Sequence, residues 1–100
     1  MNITSSIVNN QVIVDLSGGM YVEGAEILRE KLIKYMEEGQ KHFVIRMAQV
    51  DYIDSSGLGV LVSIHKRTRQ SNGSLAISGA NGFVKELFEL TRLDRVFSMQ

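Results

Sequence analysis

Residues 51–67 read DYIDSSGLGVLVSIHKR. An aspartate, two serines and two glycines around a leucine stand at the point where the apolar spacing becomes helical. Leu58, Leu61, Val62 and His65 recur at steps of three and four, which places them on one face of a helix. Asn72-Gly73 ends it. Upstream, HFVIRM (42–47) is almost continuously apolar, as expected of a strand covered on both faces. AQVDYID (48–54) leads from that strand into the polar junction. The stretch is a strand–turn–helix unit around which the rest of the chain can be placed.

Ile3–Val8 and Gln11–Leu16 are β-prone runs joined by Asn9-Asn10, a pair that tolerates the positive φ of a two-residue hairpin turn. Ile13 and Val14 make the second run apolar on both faces, which predicts an internal strand. Gly18-Gly19 reads as punctuation. VEGAEILREKLIKYMEEG (22–39) then reads as a helix with Ala25, Leu28, Leu32, Tyr35 and Met36 inward and Gly39 as its stop. Glu26 and Glu30 are spaced to pair with Lys34. SLAISG (74–79) is a further strand, NGFVKELFELTRL (81–93) a third helix with Val84, Leu87, Phe88 and Leu93 inward, and DRVFSMQ (94–100) a short edge strand. The expected order is β-β-α-β-α-β-α-β. Helices between successive strands imply parallel pairing, and the hairpin adds an antiparallel strand. The predicted fold is α/β, a mixed sheet flanked by helices, in one domain spanning 1–100.

Composition removes several function classes. Lysine plus arginine and aspartate plus glutamate are 11 each, so the chain lacks the basic excess of a nucleic-acid binder. Without cysteine there is neither disulfide nor thiolate metal site. No cofactor motif is present and no cofactor or metal is expected. No leader opens the chain and no long apolar run occurs, so no membrane partner is expected and the cytoplasm is the expected location. Lys66, Arg67 and Arg69 form a basic run on the second helix. It is either a solvated helix face or a patch for an acidic partner.

Asp54-Ser55-Ser56 admits four chemistries. Each of these residues is a preferred helix N-cap. A nucleophilic serine would need a base within reach, but His42 opens a strand and His65 lies about 15 Å down the helix. The glycine two residues before a nucleophile-elbow serine is missing as well. Gly57-Leu58-Gly59 fits neither phosphate-binding glycine pattern and reads as glycines that let the helix start approach a strand. The fourth chemistry is a serine that receives a phosphate. A helix start accommodates an anion, and a phosphoserine brings about −1.5 to −2 charges. Position alone does not choose between cap and phosphoacceptor.

YIDSSGLGVLVSIHKR resembles the signature of the STAS domain, specifically of bacterial anti-sigma-factor antagonists. The hairpin, the LSGG turn and the FELTRLDRVF segment fall where that family has equivalents, so the resemblance covers nearly the whole chain. It implies a STAS-like mixed sheet and no catalysis by the chain itself. It also implies that Ser55 is phosphorylated by a partner that is both serine kinase and anti-sigma factor. The dephosphorylated antagonist binds that kinase and frees a sigma factor. Phosphorylation breaks the complex and a metal-dependent serine phosphatase restores it. Ser56 is then a cap or packing residue.

The chain departs from the family where a turn that usually reads G-x-x-D has Gly18-Gly19-Met20-Tyr21. Tyr21 is read either as an interface anchor or as packing on its own domain. Family members also commonly add a last helix, without which Phe97 is expected to be exposed. The docking face expected around Ser55 comprises Met20, Tyr21 and Val22 in a loop, Asp54, Ser56, Gly57, Leu58 and Gly59 at the helix start, and the 79–83 loop. The alternative is a structural STAS subunit of an ABC lipid-transport complex or a signalling scaffold, which needs no reversible phosphate.

Overall fold

The computed structural model describes all 100 residues. Asn9 and Asn10 adopt φ of 51° and 64° and fold β1 (Asn2–Val8) back on β2 (Gln11–Met20) as an antiparallel hairpin. From β2, helix α1 (Val22–Glu37) leads to β3 (His42–Ile53), and α2 (Ser55–Gln70) leads on to β4 (Ser74–Ser78). Helix α3 (Gly82–Leu90) and a 3-10 turn (Leu93–Arg95) lead to the two-residue edge strand β5 (Ser98–Met99). The spatial order is β1-β2-β3-β4-β5, with every pair after the first parallel.

Strands laid down in one direction with right-handed crossovers stack their helices on one face. The rings agree: Phe97, just before β5, meets His65 of α2 at 5.3 Å and Phe88 of α3 at 5.9 Å, both edge-on. Val12, Val14 and Leu16 of β2, Phe43, Ile45 and Met47 of β3, and Leu75 and Ile77 of β4 point under the helices and are buried. They form one core with Ala25, Leu28 and Leu32 of α1, Leu61 and Ile64 of α2, and Val84 and Phe88 of α3. At roughly 1.5–3 kcal/mol for each large apolar side chain, this layer is the main source of stability.

The opposite sheet face is polar and open, which corrects the expectation that β3 is covered on both sides. Val44 and Ile13 are only half-buried there. Asp15 and Arg46 are exposed and form an ion pair at 3.2 Å, worth no more than about 1 kcal/mol. It is the only salt bridge, so the expected pairing of Glu26 and Glu30 with Lys34 does not form.

Helix α1 ends as its sequence implies. Gly39 at φ 96° donates to the Met36 carbonyl, and Gln40 donates to that of Tyr35, the double closure that a left-handed glycine permits. Two other expectations are corrected. Gly18-Gly19 does not end β2, which continues to Met20 through register shifts against β3. Phe97 is 4% exposed, because the α2–α3 ring cluster covers it.

Helix α2 packs through Gly57, Leu61, Ile64 and Thr68, whereas the apolar spacing suggested Leu58, Leu61, Val62 and His65. Of the latter, only Leu61 is fully buried. A Cβ on Gly57 would stand 2.6 Å from Met20 Sδ and 2.7 Å from Ile53 Cγ1, whereas one on Gly59 would meet nothing within 4 Å. The close approach expected of both glycines belongs to Gly57 alone. Gly57→Ala is therefore expected to cost about 1–3 kcal/mol through overpacking. Gly59→Ala should gain about 0.5–1 kcal/mol by removing an exposed helix glycine. Urea denaturation of the two variants checks the opposite signs.

Candidate functional site: a capped helix start beside an aromatic ladder

Met20 and Ile53 end neighbouring parallel strands and are register partners. The tie between these strands persists one residue further, where the Asp54 N–H donates to the Met20 carbonyl at 3.2 Å. Asp54 is extended (φ −101°, ψ −177°) and forms the N-cap of α2. Its Oδ1 accepts from the Ser56 N–H at 2.9 Å and the Gly57 N–H at 3.3 Å, and its carbonyl accepts from the Leu58 N–H at 3.2 Å. The first-turn donors that a helix leaves unpaired are thus largely satisfied by one residue.

With the cap supplied by Asp54, neither serine hydroxyl is needed for it. Ser55 is the first residue of α2, and its side chain is exposed with no hydrogen bond to the protein. Ser56 is half-buried and contributes its backbone N–H to the cap rather than its hydroxyl, which corrects the reading of Ser56 as a cap.

Beside this helix start three aromatic rings stack in solvent. Tyr21 lies 5.2 Å from Tyr52 (27° between planes), and Tyr52 lies 5.5 Å from Phe83 (3°). They come from the residue after β2, the end of β3 and the first turn of α3, so the stack spans the carboxyl end of the sheet. Tyr21 is 58% exposed, Tyr52 38% and Phe83 48%. Tyr21 is thus both packed on its own domain and available to a partner. Gly19 makes the stack possible, since a Cβ there would sit 2.9 Å from the Tyr21 ring.

An open groove flanks each end of the stack. Met1, Ile3, Tyr21, Val22, Ile27, Glu23 and Asp54 are among the residues lining the first. Asp51, Asn81 and Phe83 are among those lining the second. Neither lining includes a lysine or arginine. Asn81 braces the second groove by donating through Nδ2 to the Ala48 and Gly79 carbonyls at 3.2 and 2.9 Å.

Met20 and Gly57 leave the set of expected contacts because both are buried. Met20 lies inside β2 rather than in a loop, and Gly57 acts by letting α2 approach Met20 and Ile53. Val22 opens α1 and stays exposed, as does Gly59, and Leu58 is half-buried. Tyr52 went unread in the sequence. The histidines lie apart. His42 Nδ1 bonds Ser74 Oγ at 3.0 Å at the other end of β3. His65 has its Nδ1 buried without a partner, and burial, then the charge of Arg69, pushes its pKa below the usual imidazole value. No three His, Asp or Glu side chains converge as metal ligands. No helix is long and apolar enough to cross a membrane.

A mixed five-stranded sheet with helices on one face, presenting a capped helix start at its carboxyl end, is the architecture of a STAS domain. The family model of the STAS domain matches residues 2–100, and the chain belongs to that family. It is 33% identical to the anti-sigma-B factor antagonist of Bacillus subtilis, over 99% of this chain and 92% of that protein. It is 29% identical to BtrV of Bordetella bronchiseptica, a candidate anti-sigma factor antagonist, over 97% of this chain and 84% of that one. Among solved structures, a candidate anti-sigma factor antagonist from Thermotoga maritima superposes with a TM-score of 0.91 at 28% identity, covering 97% of this chain and 84% of that one.

The division between Asp54 and Ser55 has a direct consequence for stability. Asp54→Ala removes the cap and should cost about 0.5–2 kcal/mol, whereas Ser55→Ala should fall within about 0.5 kcal/mol of wild type. Thermal unfolding of the pair checks this. Equal losses in both would return Ser55 to a capping role.

Proposed function

We propose that the chain is an anti-sigma factor antagonist that acts as a phosphorylation-controlled binding module, with Ser55 as its phosphoacceptor. The observation that carries this reading is the exposed, unbonded Ser55 hydroxyl on a helix start whose cap is already supplied by Asp54. The named relatives support it. Ser55 Oγ attacks the γ-phosphorus of ATP held by a serine-kinase anti-sigma factor. The bond to the bridging oxygen breaks, ADP leaves, and the hydroxyl proton passes to a base of the kinase. In the unphosphorylated state the chain holds that kinase and a sigma factor is free. A serine phosphatase hydrolyses the phosphoester and resets the module.

Release follows from where the phosphate must sit. To accept a phosphoryl group, Ser55 has to face the nucleotide. After transfer, a group of about −1.5 to −2 charges therefore faces the phosphates of ADP, with Asp54 adjacent in the chain. One pair of like unit charges at about 4 Å costs roughly 1 kcal/mol in water and 4 at an effective dielectric constant of 20. With a factor of ten in affinity for each 1.4 kcal/mol, that cost weakens binding by about fivefold in water and by roughly several hundredfold where the pair is shielded from solvent. The phosphate need not unfold its own helix. The positive end of the dipole contributes roughly 0.3–1 kcal/mol in its favour, while Asp54 opposes it.

The test is capture from native extract by wild type, Ser55→Ala and Ser55→Asp, with phosphosite mapping. Wild type and Ser55→Ala should hold an ATP-binding serine kinase, Ser55→Asp should hold it at least about tenfold more weakly, and phosphate should appear on Ser55 alone. Transporter ATPase subunits held equally by all forms would instead make the chain a structural subunit. Phosphate persisting in Ser55→Ala would mean that another residue is the acceptor.

A further inference from the structure

We infer that the Tyr21–Tyr52–Phe83 ladder is the anchor that gives the module its affinity, and that it receives an arginine-bearing apolar segment of the kinase. The inference rests on the proposed function and assigns a division of labour within it, with the ladder holding and Ser55 releasing.

Three stacked rings at solvent are costly to leave uncovered, because each carries a large apolar area and the core beneath is already closed by other side chains. Exposed Val22 and Ile27 extend the apolar surface from Tyr21 along the first groove. The ladder also joins β2, β3 and α3, so it is held by rigid elements rather than by a loose loop. Aromatic anchors of this kind dominate binding energy where they become desolvated.

The chemistry of the occupant follows from the rim. Glu23 and Asp54 line the groove on the Tyr21 side and Asp51 lines the groove on the Phe83 side; neither lining holds a lysine or arginine, and the Met1 ammonium in the first offsets only one of these carboxylates. A guanidinium lies flat on an aromatic face and forms paired bonds to a carboxylate. A lysine offers only the charge, and an acidic segment would be repelled. The carboxylates attract the arginine in both states of the chain, whereas repulsion by the nucleotide phosphates is added only when Ser55 is phosphorylated, so release requires that repulsion to outweigh the pull of the phosphoserine on the arginine.

The experiment titrates the purified serine kinase recovered by wild type against wild type, Glu38→Ala at the far end of α1, Tyr21→Ala, Phe83→Ala and Asp51→Lys, each first shown to melt like wild type. The ladder variants and Asp51→Lys should bind at least about tenfold more weakly, with Glu38→Ala unchanged and wild-type affinity falling as salt rises. If Tyr21→Ala and Phe83→Ala both keep wild-type affinity, the ladder is not the anchor, although the switch at Ser55 stands. If the ladder variants weaken binding but Asp51→Lys and added salt do not, the anchor is purely apolar and the arginine assignment is overturned. If wild type recovers no ATP-binding kinase, the proposed function falls and the anchor with it.

Discussion

The structure depends on one close approach, that of the α2 start to the ends of β2 and β3. Gly57 brings the helix within contact of Met20 and Ile53, at a distance that admits no Cβ. Asp54 locks the arrangement with its N–H on the Met20 carbonyl and its carboxylate on the amides of Ser56 and Gly57. A strand end, a turn and a helix start are thereby fixed to one another within a few residues. Ser55 stands at the first residue of that helix, with its side chain exposed and not needed as a cap.

That economy suits a chain with so small a core to the proposed switch. The apolar layer under the helices contains no group that must change for the surface charge to change. The proposed event is confined to one hydroxyl at a helix N-terminus, where an anion is tolerated by the dipole and opposed by one neighbouring carboxylate. These opposing effects are each of order 1 kcal/mol, small against the roughly 5–15 kcal/mol that holds an ordinary domain together. At the proposed interface, which faces nucleotide phosphates, the same charge is strongly repelled.

Much of the fold was legible in the sequence, because the apolar period changes cleanly between strands and helices and because Asn9-Asn10 and Gly39 adopt the backbone geometry their residue types favour. The departures have identifiable causes. Gly18-Gly19 looked like an end to β2, but the strand carries its glycines through register shifts, with Gly18 at φ 92° and Gly19 making room for the Tyr21 ring. Extending the strand took Met20 out of solvent. The buried stripe of α2 is rotated by roughly a fifth of a turn from the apolar one, because Gly57 and Thr68 belong to it and a hydrophobicity pattern does not count them. Thr68 meets its burial by bonding the His65 carbonyl at 2.7 Å. At the site, the motif located Asp54 and Ser55, but only geometry separated cap from free hydroxyl. Tyr52 was hidden in what looked like a lead-in to the motif, since β3 runs on to Ile53 after a register shift. A glycine two residues before an aromatic at a strand end, as in Gly19 and Tyr21, is the unread signal by which the sequence could have pointed toward the ladder.

The central claim is that a phosphate on Ser55 changes binding without changing the fold. The most direct measurement compares the homogeneously Ser55-phosphorylated chain with the unmodified one, taking the melting temperature of each alone and the affinity of each for the ADP-bound kinase. A local electrostatic switch predicts melting temperatures within a few degrees of each other and an affinity at least about tenfold weaker for the phosphorylated form. A large fall in melting temperature would mean that release proceeds by unfolding the α2 start. Equal affinities would mean that Ser55 is not the switch.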